Sequence, residues 1–224
     1  MKVSNYVSIA GQVIEVFYKD VKCGVELRMA VRILADRISD TVVVCMRTYR
    51  EGEEIPAIKE GMWISAEGTL RVTHSPEKYT QCFLSITEPV VIMEKSEQIP
   101  HNCIIAAGNF GDPEDLQIRD SGYSAAFSVF ADDPVTGHVY VYSCAVPPEA
   151  INRYREAKQH GGSIFVLGRL LIIPEKDTKK VSAIILADVI IPMHNEEMRK
   201  KVEKRINVFN IDYVDGIVEV NREK

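Results

Sequence analysis

The side chains best suited to chemistry in this 224-residue chain are aromatic rings and fixed cations set close together. In the first half Phe17, Tyr18, Tyr49, Trp63 and Tyr79 are interspersed with Lys19, Lys22, Arg28, Arg32, Arg37, Arg47, Arg50, Arg71 and Lys78. Ring faces stack on planar bases and cations neutralise phosphates, so interleaving the two along one groove suits a single-stranded nucleic acid. From Val25 to Ile33, apolar Val25, Leu27, Met29, Val31 and Ile33 alternate with Glu26, Arg28, Ala30 and Arg32. That period of two predicts a strand with Arg28 and Arg32 on its solvent face. Near Trp63, Ile64 and Ala66 take the core side, leaving Trp63, Ser65 and Glu67 outside. An outward Trp points to base contact, to an interface between copies or barrels, or to cover by a loop.

The second half offers Tyr140, Tyr142, Arg153, Tyr154, Arg155, Arg169 and Lys176. Tyr140 and Tyr142 share one face of a strand, and Val139 and Val141 take the other. Phe127 and Phe165 read as core, and Tyr154 as the residue that packs a helix onto it. The candidate contact set is therefore Trp63, Tyr49, Arg28, Arg32, Arg47, Arg71, Tyr79, Phe17, Tyr140, Tyr142 and Arg169.

Other chemistries find little support. His74, His101, His138, His160 and His194 lack metal-ligand spacing, and no phosphate loop, HExxH helix or nucleophile elbow occurs. Asp132 and Asp133 read as turn residues. Cys23, Cys45, Cys82, Cys103 and Cys144 form no CxxC pair, so they read as reduced thiols, mostly buried in strands. The expectation is a non-enzymatic protein with no cofactor and no metal. A formal charge of −5 argues against long-range attraction to nucleic acid by the whole chain, though not against a local basic groove. No apolar run of about 18 residues offers a membrane span, and no apolar stretch follows Lys2 as in a signal peptide, so a cytoplasmic protein is expected.

The elements that would position these residues repeat. Asn5 to Gly11 matches Asn102 to Gly108, Gly24 matches Gly122, Val42 to Cys45 matches Val141 to Cys144, and Gly61 to Leu70 matches Gly161 to Leu170. The four matches fall in the same order and drift slowly in offset, as loop insertions in a tandem duplication would cause. Each copy reads as five strands. They cover Tyr6–Tyr18, Val25–Leu34, Thr41–Arg47, the Gly61–Leu70 segment and Gln81–Ile92, and in the second copy Cys103–Phe110, Tyr123–Ala131, Val139–Ala145, Gly161–Leu170 and Val181–Ile191. Between the third and fourth strands the second copy carries a helix, with Pro148 near its start, Gly161 at its end and Ala150, Ile151, Tyr154 and Ala157 on one side. The first copy is broken there by Pro56. Five strands with a helix between the third and fourth is the order of the OB fold, a Greek-key barrel.

In these same segments the chain resembles the bacterial and phage single-stranded DNA-binding proteins of the OB-fold type. The likeness rests on Asn102, Gly108, Asp112-Pro113-Glu114, Ser121-Gly122, Ala126 to Val129 and Gly162 to Leu170, with Asn5, Gly11, Gly24 and Lys59 to Leu70 in the first copy. It implies strand binding without catalysis, and assembly into four barrels, here a homodimer of two-barrel chains. The family stacks bases on aromatic residues, often Trp. Those positions fall near His138, Cys144, Asp133 to Val135 and Pro174-Glu175, so the second copy keeps the scaffold and lacks most of the stacking set.

The expected organisation is an all-β chain: OB barrel 1 over 1–95, a linker over 96–101, OB barrel 2 over 102–193, and an extension over 194–224. The extension reads as a charged helix over 194–206 followed by a β-hairpin turning at Asp215-Gly216. The functional expectation is single-stranded DNA binding in replication, recombination or repair, with RNA as a possible ligand. The alternative is a protein-interaction module of a replisome, phage or plasmid system. The partners expected are single-stranded nucleic acid and a second copy of the chain, and no membrane.

Overall fold

Alternating apolar residues place one side of strand after strand against a neighbour. In a computed structural model the described residues are 2–3, 5–34, 40–74, 80–111, 122–132, 139–174, 181–193, 211–214 and 217–220. The strands are β1 (Lys2–Val3), β2 (Asn5–Val21), β3 (Gly24–Leu34), β4 (Asp40–Tyr49), β5 (Trp63–His74), β6 (Thr80–Ile86), β7 (Val91–Ile92), β8 (His101–Gly111), β9 (Ala125–Asp132), β10 (Val139–Val146), β11 (Ser163–Pro174), β12 (Val181–Pro192), β13 (Ile211–Val214) and β14 (Ile217–Val220). The single α-helix among these residues is α1 (Ile151–His160). The fold is all-β, of the OB type.

Two closed rings of strands follow the same order. In one, β2 pairs with β3 and β3 with β4, both antiparallel. β4 then pairs in parallel with β6, and β5 joins β6 back to β2. In the other, β8 pairs with β9 and β9 with β10, β10 pairs in parallel with β12, and β11 lies beside β12 and pairs with β8. The parallel registers coincide: Cys45 stands beside Leu84 and Cys144 beside Ile185.

A glycine recurs where each ring closes. A Cβ on Gly68 would strike the carbonyl oxygen of Ser85, and one on Gly168 that of Leu186. Only a residue without a side chain lets the two backbones approach this closely.

By spatial clustering the chain divides into two compact units. The first comprises Val7–Cys103 and Leu171–Ala183; the second comprises Met1–Tyr6, Ile104–Leu170 and Ile184–Lys224. In the first, Ile9, Leu27, Met29, Val31, Cys45, Ile64, Leu70 and Leu84 form a fully buried core. Thr41, also buried, donates from Oγ1 to the carbonyl of Ile172 at 3.0 Å and accepts from its amide at 2.8 Å. In the second unit, Phe110 and Phe127 stack at 5.3 Å, and Tyr154 of α1 tilts onto both at 6.2 and 6.0 Å. Ala157 is buried on that side of the helix. Gly161 ends the helix with φ 63° and donates its amide to Ala157 at 2.9 Å, a cap that suits glycine.

Three expectations about the elements change or find their place. The fifth strand of the first copy is interrupted after Ile86, and beyond Pro89 the chain forms the short β7, which continues along the same edge of β5, opposite the edge held by β2. The second copy's fifth strand, β12, is unbroken. The C-terminal hairpin is present as β13 and β14, and β14 also pairs with β1. The charged segment 194–206 and Lys176 lie outside the described residues.

Candidate nucleic-acid interface

The register of the first ring assembles an outward face from five strands. Val13 and Val31 face each other inside, so their neighbours Gln12 and Arg32 lie outside as a cross-strand pair. Gln12 also stands opposite Trp63, and Arg32 opposite Val42. This gives an outer row of Trp63, Gln12, Arg32 and Val42. Past a bulge between Val13 and Glu15, a second row runs Phe17, Arg28, Met46 and Ser85, each residue paired with the next. Ala30 and Val44 form a cross-strand pair between the rows. Arg28 and Arg32 lie about 13 Å apart along β3.

Phe17 is 56% exposed, which for a ring in a regular strand has no packing explanation. Arg28 is exposed and holds Glu26 Oε1 at 2.7 Å. Arg32 is exposed and has no ion-pair partner among the described residues. Trp63 is half-buried rather than open, because β7 returns alongside the start of β5 and Met93 donates its amide to the Trp63 carbonyl at 2.9 Å. Arg71 is half-buried and stands opposite Phe83 on the outer side of β5 and β6. Tyr79 lies outside the described residues.

Four candidates do not stand where the sequence suggested. Tyr49 is only 3% exposed: it shares the inward side of β4 with Val43 and Cys45. The Arg47 guanidinium covers its ring, with Cζ 4.9 Å from the centroid. Burial raises the Tyr49 hydroxyl above its ordinary range, and the charge of Arg47 partly offsets this. Tyr140 and Tyr142 point inward at 9% and 1% exposure, whereas Val139 and Val141 face solvent. The tyrosines were expected on the binding side; instead they stack on each other at 6.4 Å, and the Tyr142 hydroxyl accepts from Asn5 Nδ2 at 2.6 Å. Arg169 makes a two-pronged ion pair with Asp188, at 3.0 and 2.9 Å, so a carboxylate already answers its charge.

The site also contains residues that the sequence did not single out: Gln12, Val44, Met46, Phe83 and Ser85. Alternation over Cys82 to Ile86 carries a signal for two of them. Leu84 and Ile86 are core, so Phe83 and Ser85 face out. Their meeting with Met46 depends on the parallel register between distant strands. Tyr18 is partly exposed but committed to structure: its hydroxyl donates to the Pro56 carbonyl at 2.7 Å and accepts from the Ile58 amide at 2.9 Å.

The buried thiols of Cys45 and Cys144 are pushed well above the ordinary thiol range by desolvation, and Cys82 is pushed up to about 12 by the same cause. They are inert side chains of the strands. Among the described residues no three His, Cys, Asp or Glu side chains gather to hold a metal, and no helix is long and apolar enough to cross a membrane.

No protein-family model and no curated protein matches the chain. Among solved structures, it is similar to a deletion variant of the single-stranded DNA binding protein from Thermus aquaticus, with a TM-score of 0.63 and 15% identity over 84% of this chain and 93% of that one. It is likewise similar to the wild-type Thermus aquaticus protein, with a TM-score of 0.60 and 16% identity over 84% and 91%. At such identity the likeness speaks for the arrangement of the backbone.

Proposed function

We propose that the chain is a non-enzymatic single-stranded DNA-binding protein, and that the strand crosses the outward face of β2, β3 and β4. The observation that carries this reading is the cross-strand register placing Phe17 against Arg28 and Gln12 between Trp63 and Arg32. Aromatic surface and cations alternate there at strand spacing, as base stacking and phosphate neutralisation require. Arg71 extends the positive track onto β5. Residues 1–95 and 102–193 are read as the two copies of a duplicated OB unit, joined by 96–101 and followed by the extension 194–224. Holding single strands in this way suits DNA replication, recombination or repair, in a homodimer that supplies four OB units.

The test is a titration of the full chain with oligo-dT, followed by fluorescence anisotropy and by the emission of Trp63, the sole tryptophan. Saturable binding whose affinity falls with salt is the expected result, with a slope of about −0.7 per phosphate neutralised. No binding at low salt would refute the reading. Replacing the DNA by oligo-U separates DNA from RNA preference, and sedimentation equilibrium tests the dimer.

A second reading applies to the second unit. Its β10 turns Val139 and Val141 outward, its tyrosines inward, and Arg169 is already paired. An outer surface with apolar groups and few free cations favours a protein partner over nucleic acid. Substituting Val139 and Val141 by Ser should then leave oligo-dT affinity unchanged and weaken association with that partner or between copies.

A further inference from the structure

The short β7 ends its sheet, and among the described residues no strand lies beyond it. Met93 donates its amide to the Trp63 carbonyl at 2.9 Å, so in this antiparallel ladder the N–H and C=O groups of Met93 and Val91 point at β5. Those of Val90, Ile92 and the extended Glu94 alternate with them and point to the open edge. The side chains here are also apolar and uncovered: Val91 is 57% exposed and Ile92 44%. An edge both unpaired and apolar is a template for another strand.

The second unit has the same position and closes it. Met193 donates to the Ser163 carbonyl at 2.9 Å, as Met93 does to Trp63, so Pro192 answers to Ile92 and Ile191 to Val91. Proline offers no N–H to a further strand, and Ile190, Ile191, Pro192 and Met193 are all buried. The chain thus blunts this edge in one unit and leaves it open in the other.

The open edge is complementary to itself. A two-fold axis at Ile92 lays β7 antiparallel to its own copy. The N–H and C=O of Ile92 then bond their equivalents, Val90 stands opposite Glu94, and Val91 opposite Met93. No like charges meet in that register. An axis at Glu94 would oppose two carboxylates, and an axis at Val90 would set Glu88 against Ile92.

We propose that β7 is the surface through which two copies of the chain join, by antiparallel pairing about Ile92. The inference deepens the homodimer reading and rests on it. The axis stands perpendicular to the joined sheet, so Trp63 of both copies lies on one side of it. Three strand spacings, about 14 Å, separate β5 from the β5 of the second copy. The rows of Trp63, Gln12, Arg32 and Val42 from the two copies therefore follow one another, and a bound single strand can pass from one to the next.

The test uses the full chain. Sedimentation equilibrium should give a dimer for the wild type. Ile92→Pro copies the residue of the second unit and removes the central donor, so the dimer dissociation constant should rise about tenfold or more, with an unchanged circular dichroism spectrum. If that variant folds poorly, Ile92→Cys in a Cys23→Ser background keeps every backbone hydrogen bond and puts a thiol on the axis. Hydrogen-bonded cross-strand pairs hold their Cα atoms about 5.5 Å apart, within disulfide range. Mild oxidation should cross-link it into a covalent dimer, whereas Thr87→Cys in the same background, exposed but off the axis, should stay uncrosslinked.

A wild-type dimer that Ile92→Pro leaves intact, and that Ile92→Cys fails to cross-link, would refute this interface while the homodimer stands. A wild-type chain that sediments as a monomer and gives no cross-link would refute the homodimer and the interface together.

Discussion

Phe17 stands directly opposite Arg28 across the β2–β3 ladder. A ring and a guanidinium on neighbouring strands lie about 5 Å apart at the backbone, so a base stacked on one has its phosphate within reach of the other. Phe17→Ala should weaken oligo-dT binding by about 1–3 kcal/mol, measured by anisotropy. The ring is mostly in solvent, so the melting temperature should stay within about a degree of wild type. A large drop in stability with unchanged affinity would contradict the role given to it.

Glu26 competes with phosphate for Arg28, which it holds at 2.7 Å. Glu26→Gln frees that guanidinium and removes a negative charge from the same face. Oligo-dT affinity should rise, by up to roughly fivefold at low salt, with a steeper salt dependence. A fall in affinity in the Gln variant would show that the ion pair positions Arg28 for the strand.

How much of this was legible without coordinates depends on whether the deciding contact is local. Arg28 and Arg32 were correctly placed outside because the opposite side of their strand is uniformly apolar, which leaves one arrangement. The repeated five-strand pattern and the helix between the third and fourth strands of the second copy announced the OB order. Tyr140 and Tyr142 were misplaced because Val-Tyr-Val-Tyr is apolar on both sides. Periodicity defines two faces there without saying which is buried, and the pairing of Cys144 with Phe127 and Ile185 decides it. Tyr49 was misread although Val43 and Cys45 share its parity, because an aromatic next to two arginines looked like a contact residue. Alternation turns Phe83 and Ser85 outward, but the meeting of Ser85 with Met46 depends on the parallel β4–β6 register, which no local pattern encodes.

The inward Tyr142 makes a separate prediction. Asn5 is buried and donates to its hydroxyl at 2.6 Å. Tyr142→Phe keeps the ring and removes that acceptor, so it should cost about 1–3 kcal/mol in denaturant unfolding. Oligo-dT affinity should not change, since the proposed face belongs to the other unit. Unchanged stability would mean the hydrogen bond contributes nothing net.

Ring closure can be tested at Gly68 and Gly168. An added methyl meets backbone oxygen in both, Ser85 in one and Leu186 in the other, and backbone cannot rotate aside as a side chain can. Gly68→Ala and Gly168→Ala should each destabilise by about 1–3 kcal/mol or more. Urea unfolding midpoints measure it, and a neutral result at either site would show that the ladder can relax.

The buried thiols set an alkaline limit. Cys45 and Cys144 titrate higher in the folded chain than in the unfolded one, so above about pH 8.5 the unfolded chain loses protons that the folded chain keeps. Stability is therefore fully present below that value and falls as pH rises, by up to roughly 1.4 kcal/mol per pH unit for each thiol. Melting temperatures between pH 8 and 10 should decline, and Cys45→Ala with Cys144→Ala should flatten the decline. A decline of equal steepness in the double variant would assign it to other groups.

The make-up of the two units bears on synthesis. Met1–Tyr6 are made before Val7–Cys103 yet belong with Ile104–Leu170, and Leu171–Ala183 are made after Ile104–Leu170 yet belong with Val7–Cys103. The nascent chain can close the ring of β2 to β6 before the second ring is made, but neither unit is complete until the segments of both have emerged. A product cut within 96–101 should thus yield two fragments that each lack part of their unit, soluble together more readily than apart. Unit-by-unit folding during translation, the usual protection of two-domain chains against misassembly, is here deferred until the interleaved segments of both units have been made.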